Sequence, residues 1–176
     1  WTLTLSGRTL RYDVWMSDVS PEVSARLVGH LDPDGYVEIP AAARAAISVG
    51  AYRSRLDWLR PGGATVRYDR ELDRVAPFSS AGPTRDGRFA PDILAPGEFV
   101  VSSLSADAVP GLPKSVFNTG EAQDFLLGDD SVHGVLRGTS QATPHVTGGL
   151  ALLLQLQPDL SVDQARELLR TTGKTD

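Results

Sequence analysis

The feature that most constrains this chain is a helix that is apolar on nearly every side. From Leu136 to Leu154 the sequence runs LRGTSQATPHVTGGLALLL, and Val146, Leu150, Ala151, Leu152, Leu153, Leu154 and Leu156 surround its axis. A helix that is hydrophobic all round needs cover all round, so it belongs between layers and not on a surface. The pattern predicts a helix from about Ser140 to Gln157, stopped by Pro158. Val132 to Arg137 reads as the strand that feeds it, and Gly138-Thr139 as the turn between them.

The rest of the chain supplies elements of the kind such a helix packs on. Ile47 to Tyr52 and Phe99 to Ser103 read as short buried strands, with a further strand over Thr65 to Tyr68. Ala41 to Ala46 (AAARAA) predicts a short helix by propensity. A small helix leading into a buried strand points to α/β architecture. Trp58 to Gly63 reads as a loop. Phe78 to Gly97 carries enough proline and glycine to be read as one long shaped loop, and Asp107 to Asp130 as an exposed excursion. A last helix begins near Leu160, with Ser161 as N-cap and Gln164 at the position that completes a capping box. At the other end, Trp1 to Leu5 and Leu10 to Met16 alternate apolar and polar residues around a turn at Ser6-Gly7-Arg8, which predicts a β-hairpin.

Composition narrows the function classes. Hydrophobic residues make up 41% and charged residues 22% of 176, values of a globular protein with a core. The net charge is −5 and the arginines are scattered, so no nucleic-acid footprint is expected. No apolar run reaches about 18 uninterrupted residues, which argues against a membrane span. The absence of cysteine removes thiol nucleophiles, disulfides and Cys-based metal sites. The first residues already read as strand, without a signal-peptide core, as in a segment cut from something longer.

A serine at the start of such a helix is placed for acyl transfer. The first backbone N–H groups of a helix lack intrahelical acceptors and can point at a developing oxyanion, and the helix dipole adds positive potential there. The plainer alternative is that Ser140 or Thr139 merely caps the helix.

The residues around Ser140 favour the first role. Gly138-Thr139-Ser140-Gln141-Ala142-Thr143-Pro144-His145-Val146-Thr147-Gly148 closely resembles the serine signature of subtilisin-like proteases, G-T-S-x-A-x-P-H-V-x-G. A second block, Phe78-Ser79-Ser80-Ala81-Gly82-Pro83 through Pro91-Asp92-Ile93-Leu94-Ala95-Pro96-Gly97, is similar to the family's F-S-S-x-G-P…K-P-D-I-x-A-P-G, with Ala90 in place of the usual basic residue. Pro40 followed by Val49-Gly50-Ala51 extends the likeness, which covers about residues 36 to 173. It implies the C-terminal portion of a catalytic domain in residues 36–176. The fold implied is a three-layer α/β sandwich with a mostly parallel sheet, incomplete, preceded by a hairpin and loop insertion over residues 1–35.

The same resemblance implies that Ser140 is the nucleophile and that its own N–H is one oxyanion donor. The family's other parts are an aspartate in Asp-Ser/Thr-Gly, a histidine in His-Gly-Thr and an asparagine in Ala-Ala-Gly-Asn, and none of these motifs occurs in this sequence. The histidines present do not replace them. His133 lies seven residues before Ser140, ~20 Å along an extended strand. His145 sits about 140° round the helix from Ser140, and the resemblance makes it a packing residue. His30 lacks the motif. A serine without a base is a weak nucleophile.

The expectation is therefore a serine endopeptidase acting on peptide or protein substrates, secreted or extracytoplasmic, with the N-terminal half of the same domain as the required partner. This chain alone is expected to be inactive. The rivals are a non-catalytic subtilase-fold binding or scaffold protein with an idle serine, and a binding module centred on the N-terminal hairpin. No metal site is expected from the residues themselves. Asp129-Asp130 and Asp32-Pro33-Asp34 lack EF-hand spacing, and calcium enters only through the resemblance. Asp92 is expected to be structural, and the three tryptophans to be packing residues.

Overall fold

A computed structural model describes residues 4, 6–9, 14, 35–105, 107, 122–128 and 132–174. The chain divides into two units, 1–32 and 33–176, and the architecture below is that of the second. Most of the hairpin expected over Trp1 to Met16 lies outside the described residues, as do His30 and both acidic pairs weighed for calcium.

Among the described residues of the second unit, six strands and two α-helices follow one another: β1 (Val49–Arg53), β2 (Asp57–Leu59), β3 (Thr65–Arg67), β4 (Ile93–Glu98), β5 (Val100–Ser103), a 3₁₀ turn (Ala122–Phe125), β6 (His133–Leu136), α1 (Thr139–Leu156) and α2 (Val162–Thr172). β1 and β4 pair in parallel, whereas β2–β3 and β5–β6 are antiparallel ribbons. The result is a small, incomplete α/β arrangement with α1 packed on the parallel pair.

That packing is close because the facing residues are small. Ala51 of β1, Ala95 of β4, Ala76, and Ala142 and Val146 of α1 form one buried cluster. At Gly97 an added Cβ would stand 2.5 Å from the Cβ of Ala51 and 3.1 Å from that of Ala142, so only glycine lets strand and helix meet here. A second cluster joins the ribbons, with Trp58, Phe99 and Val135 buried and Tyr68 stacked at 4.4 Å from the Phe99 ring. Trp58 is thus a core residue, and its indole N–H donates to the Asp124 carbonyl at 2.6 Å.

Three expectations are corrected. Phe78 to Gly97 is not wholly loop, because Ile93–Glu98 forms β4. Proline is tolerated on an edge strand, where alternate N–H groups point away from the partner, and among the described residues β4 pairs only with β1. Trp58 lies in a strand, β2, and not in a loop. Ala41 to Ala46 forms turns and no helix. There, arginine side chains take up the carbonyls that a helix would use internally: Arg88 donates to the Ala42 carbonyl, and Arg166 to those of Arg44 and Ala46.

α2 is amphipathic and self-contained. Ser161 accepts from the Gln164 N–H and Gln164 accepts from the Ser161 N–H at 2.9 Å, the capping box read from sequence. Asp92, buried between β1 and α2, then fixes the helix. One carboxylate oxygen accepts from the Ser48 N–H and hydroxyl at 2.8 and 2.9 Å. The other meets Arg170 at 2.5 Å and Arg166 at 3.3 Å. Asp92 is the anchor of the last helix.

α1 differs. Only Ala142 and Val146 are fully buried along its 18 residues, while Leu152 and Leu156 are 65% and 80% exposed. Side chains added at Gly148 and Gly149 would meet nothing within 4 Å. One side of an all-round apolar helix is covered, and the opposite side is open. His145, expected to pack, is exposed, with Nδ1 2.9 Å from the Gln141 carbonyl.

Candidate active site

Ser140 lies in the first turn of α1 and is exposed. Gly138 holds the junction with β6. Its N–H donates to the Gly97 carbonyl at 2.8 Å, and its carbonyl accepts from Gln141 at 3.0 Å. Its φ of 152° is one that residues with a side chain rarely adopt. Gly138 offers no side chain, and no side chain caps the helix start. Gln141 N–H is thus taken up by Gly138, and the N–H groups of Thr139 and Ser140 are left without a capping side chain at the positive end of the helix.

A shelf beneath this turn is braced by a buried ion pair. Glu98, the residue after Gly97, receives Arg53 Nε at 2.7 Å, with both side chains almost wholly buried. Arg53 also donates to the Glu71 carbonyl at 2.6 Å, and its backbone bonds to Arg74 and Asp73. The pair thus ties β1, β4 and the Glu71–Arg74 segment to the strand end on which Gly138 rests.

Ser140 borders two hollows. One, about 830 Å³, runs between the Tyr36–Ala41 segment and the Thr143, Pro144 and Thr147 side of α1, with Ser79 and Ser80 on its wall. The other, about 610 Å³, is bounded by Arg70, Pro77, Phe78, Glu98 and Arg137. The Phe78–Ser80 segment reaches both hollows. Behind it, Asp86 bonds the Thr84 hydroxyl at 2.6 Å and Arg88 at 3.0 Å. These contacts, the hydroxyl first, bring its carboxyl down to about 2.

No histidine joins Ser140 among the described residues. His133 stands at the far end of β6, paired with Ser103, and His145 is engaged on its own helix. Asp92 belongs to the α2 anchor. The same residues contain no group of three or more His, Cys, Asp or Glu side chains suited to a metal, and no helix long and apolar enough to cross a membrane. Arg53, Glu98, Arg70 and Arg137 went unnoticed in the sequence. They lie up to 84 positions apart, and no local pattern links them.

Residues 31–176 match the pattern of the Subtilase family, Peptidase_S8. The chain belongs to the subtilase family. This subtilase is 35% identical over 180 residues to Serine protease AprX of Bacillus subtilis, covering 96% of this chain and 36% of that protein. Over 104 residues it is 33% identical to the Minor extracellular protease Vpr of the same organism, covering 58% of this chain and 11% of Vpr. With Subtilisin-like protease SBT3 of Solanum lycopersicum it shares 35% over 101 residues, covering 56% of this chain and 12% of SBT3. The chain thus spans about a third of AprX and smaller parts of Vpr and SBT3. Its kinship is with serine peptidases.

Proposed function

We propose that residues 36–176 are the serine-bearing part of an endopeptidase, preceded by the insertion over residues 1–35, and that Ser140 is the nucleophile. The observation that carries the reading is an exposed hydroxyl in the uncapped first turn of α1, inside the subtilase serine signature. Ser140 Oγ attacks the substrate carbonyl carbon while a base removes its proton. The tetrahedral oxyanion is received by the Ser140 N–H together with a donor from outside the chain. The amine leaves with a proton from the same base, and water then releases the acyl group by the reverse sequence.

The base, its orienting acid and the second oxyanion donor belong, by the family resemblance, to the N-terminal half of the domain. That half is the partner whose packing would cover the open side of α1. In support, Leu152, Leu154 and Leu156 are exposed on a helix with no polar face. An extracytoplasmic setting is proposed on the same kinship, and calcium on the family resemblance alone. The substrate is a peptide or protein.

The test is hydrolysis of a denatured protein by the full-length product and by its Ser140→Ala variant. Loss of about 10⁶-fold in kcat is expected, the scale on which removal of a triad serine acts. Equal hydrolysis by both would reject the assignment. No hydrolysis by either would favour the idle-serine reading.

A further inference from the structure

The hollow on the Arg137 side of Ser140 carries a charge that none of the described residues bounding it neutralises. Three of its bounding residues are ionised: Glu98, Arg70 and Arg137. Glu98 is 2% exposed and already paired with Arg53 at 2.7 Å, so its charge is spent within the protein. Arg70 and Arg137 are exposed, and among the described residues neither guanidinium meets a carboxylate. Most other arginines there do, as Arg53, Arg88 and Arg166 show. Of the acids flanking Arg70 in sequence, Glu71 pairs with Arg74 at 2.8 Å, and Asp69 does not bound the hollow.

Two guanidinium groups with no carboxylate partner among the described residues therefore bound one cleft, in a chain whose net charge is −5. Phe78 and Pro77 give the same cleft an apolar wall. Such a site fits a short side chain ending in a planar carboxylate, which arginine can grip through two parallel N–H···O bonds. Because Ser140 borders the cleft, a peptide laid across the hydroxyl places a residue next to the scissile bond inside it.

We infer that Arg70 and Arg137 are specificity-determining residues that select substrates with Asp or Glu within two positions of the scissile bond, on one side only. The inference rests on the proposed peptidase role of Ser140. It adds a substrate class to that role and leaves the chemistry unchanged. Neither arginine takes part in bond making, so their removal alters which peptides are cleaved and not whether Ser140 reacts.

The experiment uses the full-length protein and neutral peptides carrying a single Glu, Gln or Lys at each of three positions on either side of the cleaved bond. Glu should exceed Gln in kcat/KM by about fivefold or more on one side, with Lys below both, and the preference should shrink as salt rises. The Arg70→Glu/Arg137→Glu double variant should reverse the order of Glu and Lys while labelling by a fluorophosphonate at Ser140 persists. Cleavage and labelling without any charge preference, or a preference that the double variant leaves intact, overturns this inference and spares the peptidase reading. A protein that neither cleaves nor labels is tested by fluorescence anisotropy with the same peptides. Selective binding of the Glu peptide, lost in the double variant, sustains the cleft while the peptidase reading fails. Absence of such binding overturns both.

Discussion

The two helices of this subtilase end the chain side by side in sequence, yet they are built for different surroundings. α2 is amphipathic, closed at its start by Ser161 and Gln164, and held through Arg166 and Arg170 on the buried Asp92. α1 has no capping side chain and no polar face, and its leucines at 152 and 156 stand in the open. A helix finished by its own residues is one the segment can complete alone. A helix that leaves its start without a side-chain cap and its apolar side open is one the described residues do not complete. At the start of α1 that lack of closure is what the proposed chemistry requires, because a cap on the first turn would occupy the donors an oxyanion needs.

The comparison can be broken by substitutions on either side of it. The largest effect on stability is expected at Glu98, beneath the start of α1. Glu98→Gln leaves the buried Arg53 guanidinium without its counter-charge, and should cost about 3–5 kcal/mol in chemical denaturation of the full-length protein. It should also slow labelling of Ser140. An unchanged denaturation midpoint would remove the shelf from the account.

Leu152→Ala comes next and is the sharper test of the open side. If the remainder of the domain covers α1, truncation in the full-length protein should cost about 2–5 kcal/mol. A residue left as exposed as Leu152 is in this segment should change stability by no more than about 0.5 kcal/mol. The smaller value would mean that α1 faces solvent in the whole protein.

At α2 the expected changes are local. Ser161→Ala should destabilise by about 1 kcal/mol, the value of one N-cap, and leave peptide hydrolysis unaltered. A fall in kcat/KM would show that the helices are not separable in function.

The smallest effect is electrostatic and belongs to the Asp86 loop, which reaches Arg44 at 2.9 Å in the segment that α2 also grips. Its folded pKa of about 2 lies below the ordinary 3.8, so Asp86 favours the folded state above that ordinary value. The benefit fades as pH falls from about 3.8 towards 2. Thermal melts of Asp86→Asn should therefore differ from the parent at neutral pH and converge with it in that window. A constant difference down to pH 2 would contradict the assignment.

What the sequence revealed and what it concealed follow from the range of the forces involved. The strand, turn and helix around Ser140 and the Ser161–Gln164 box were legible because each is set within a few residues. β4 was misread because proline and glycine at 96 and 97 are breakers in isolation. The strand exists through its register with β1 and the close approach that Gly97 permits. The Ala41–Ala46 helix failed because Arg88, 46 positions away, and Arg166, 120 and 122 positions away, claim its carbonyls. The Arg53–Glu98 pair and the Arg70–Arg137 cleft depend wholly on such distant juxtapositions, and no motif announces them.

The central claim is that Ser140 is presented by this segment and made reactive by groups outside it. Its most direct test is the rate of fluorophosphonate labelling at Ser140, measured by mass spectrometry in the full-length protein and in residues 1–176 expressed alone. Rapid labelling of the whole protein, with labelling of the segment no faster than that of its other exposed serines, is the predicted result. Equal rates in both would contradict it, since the segment would then hold its own base.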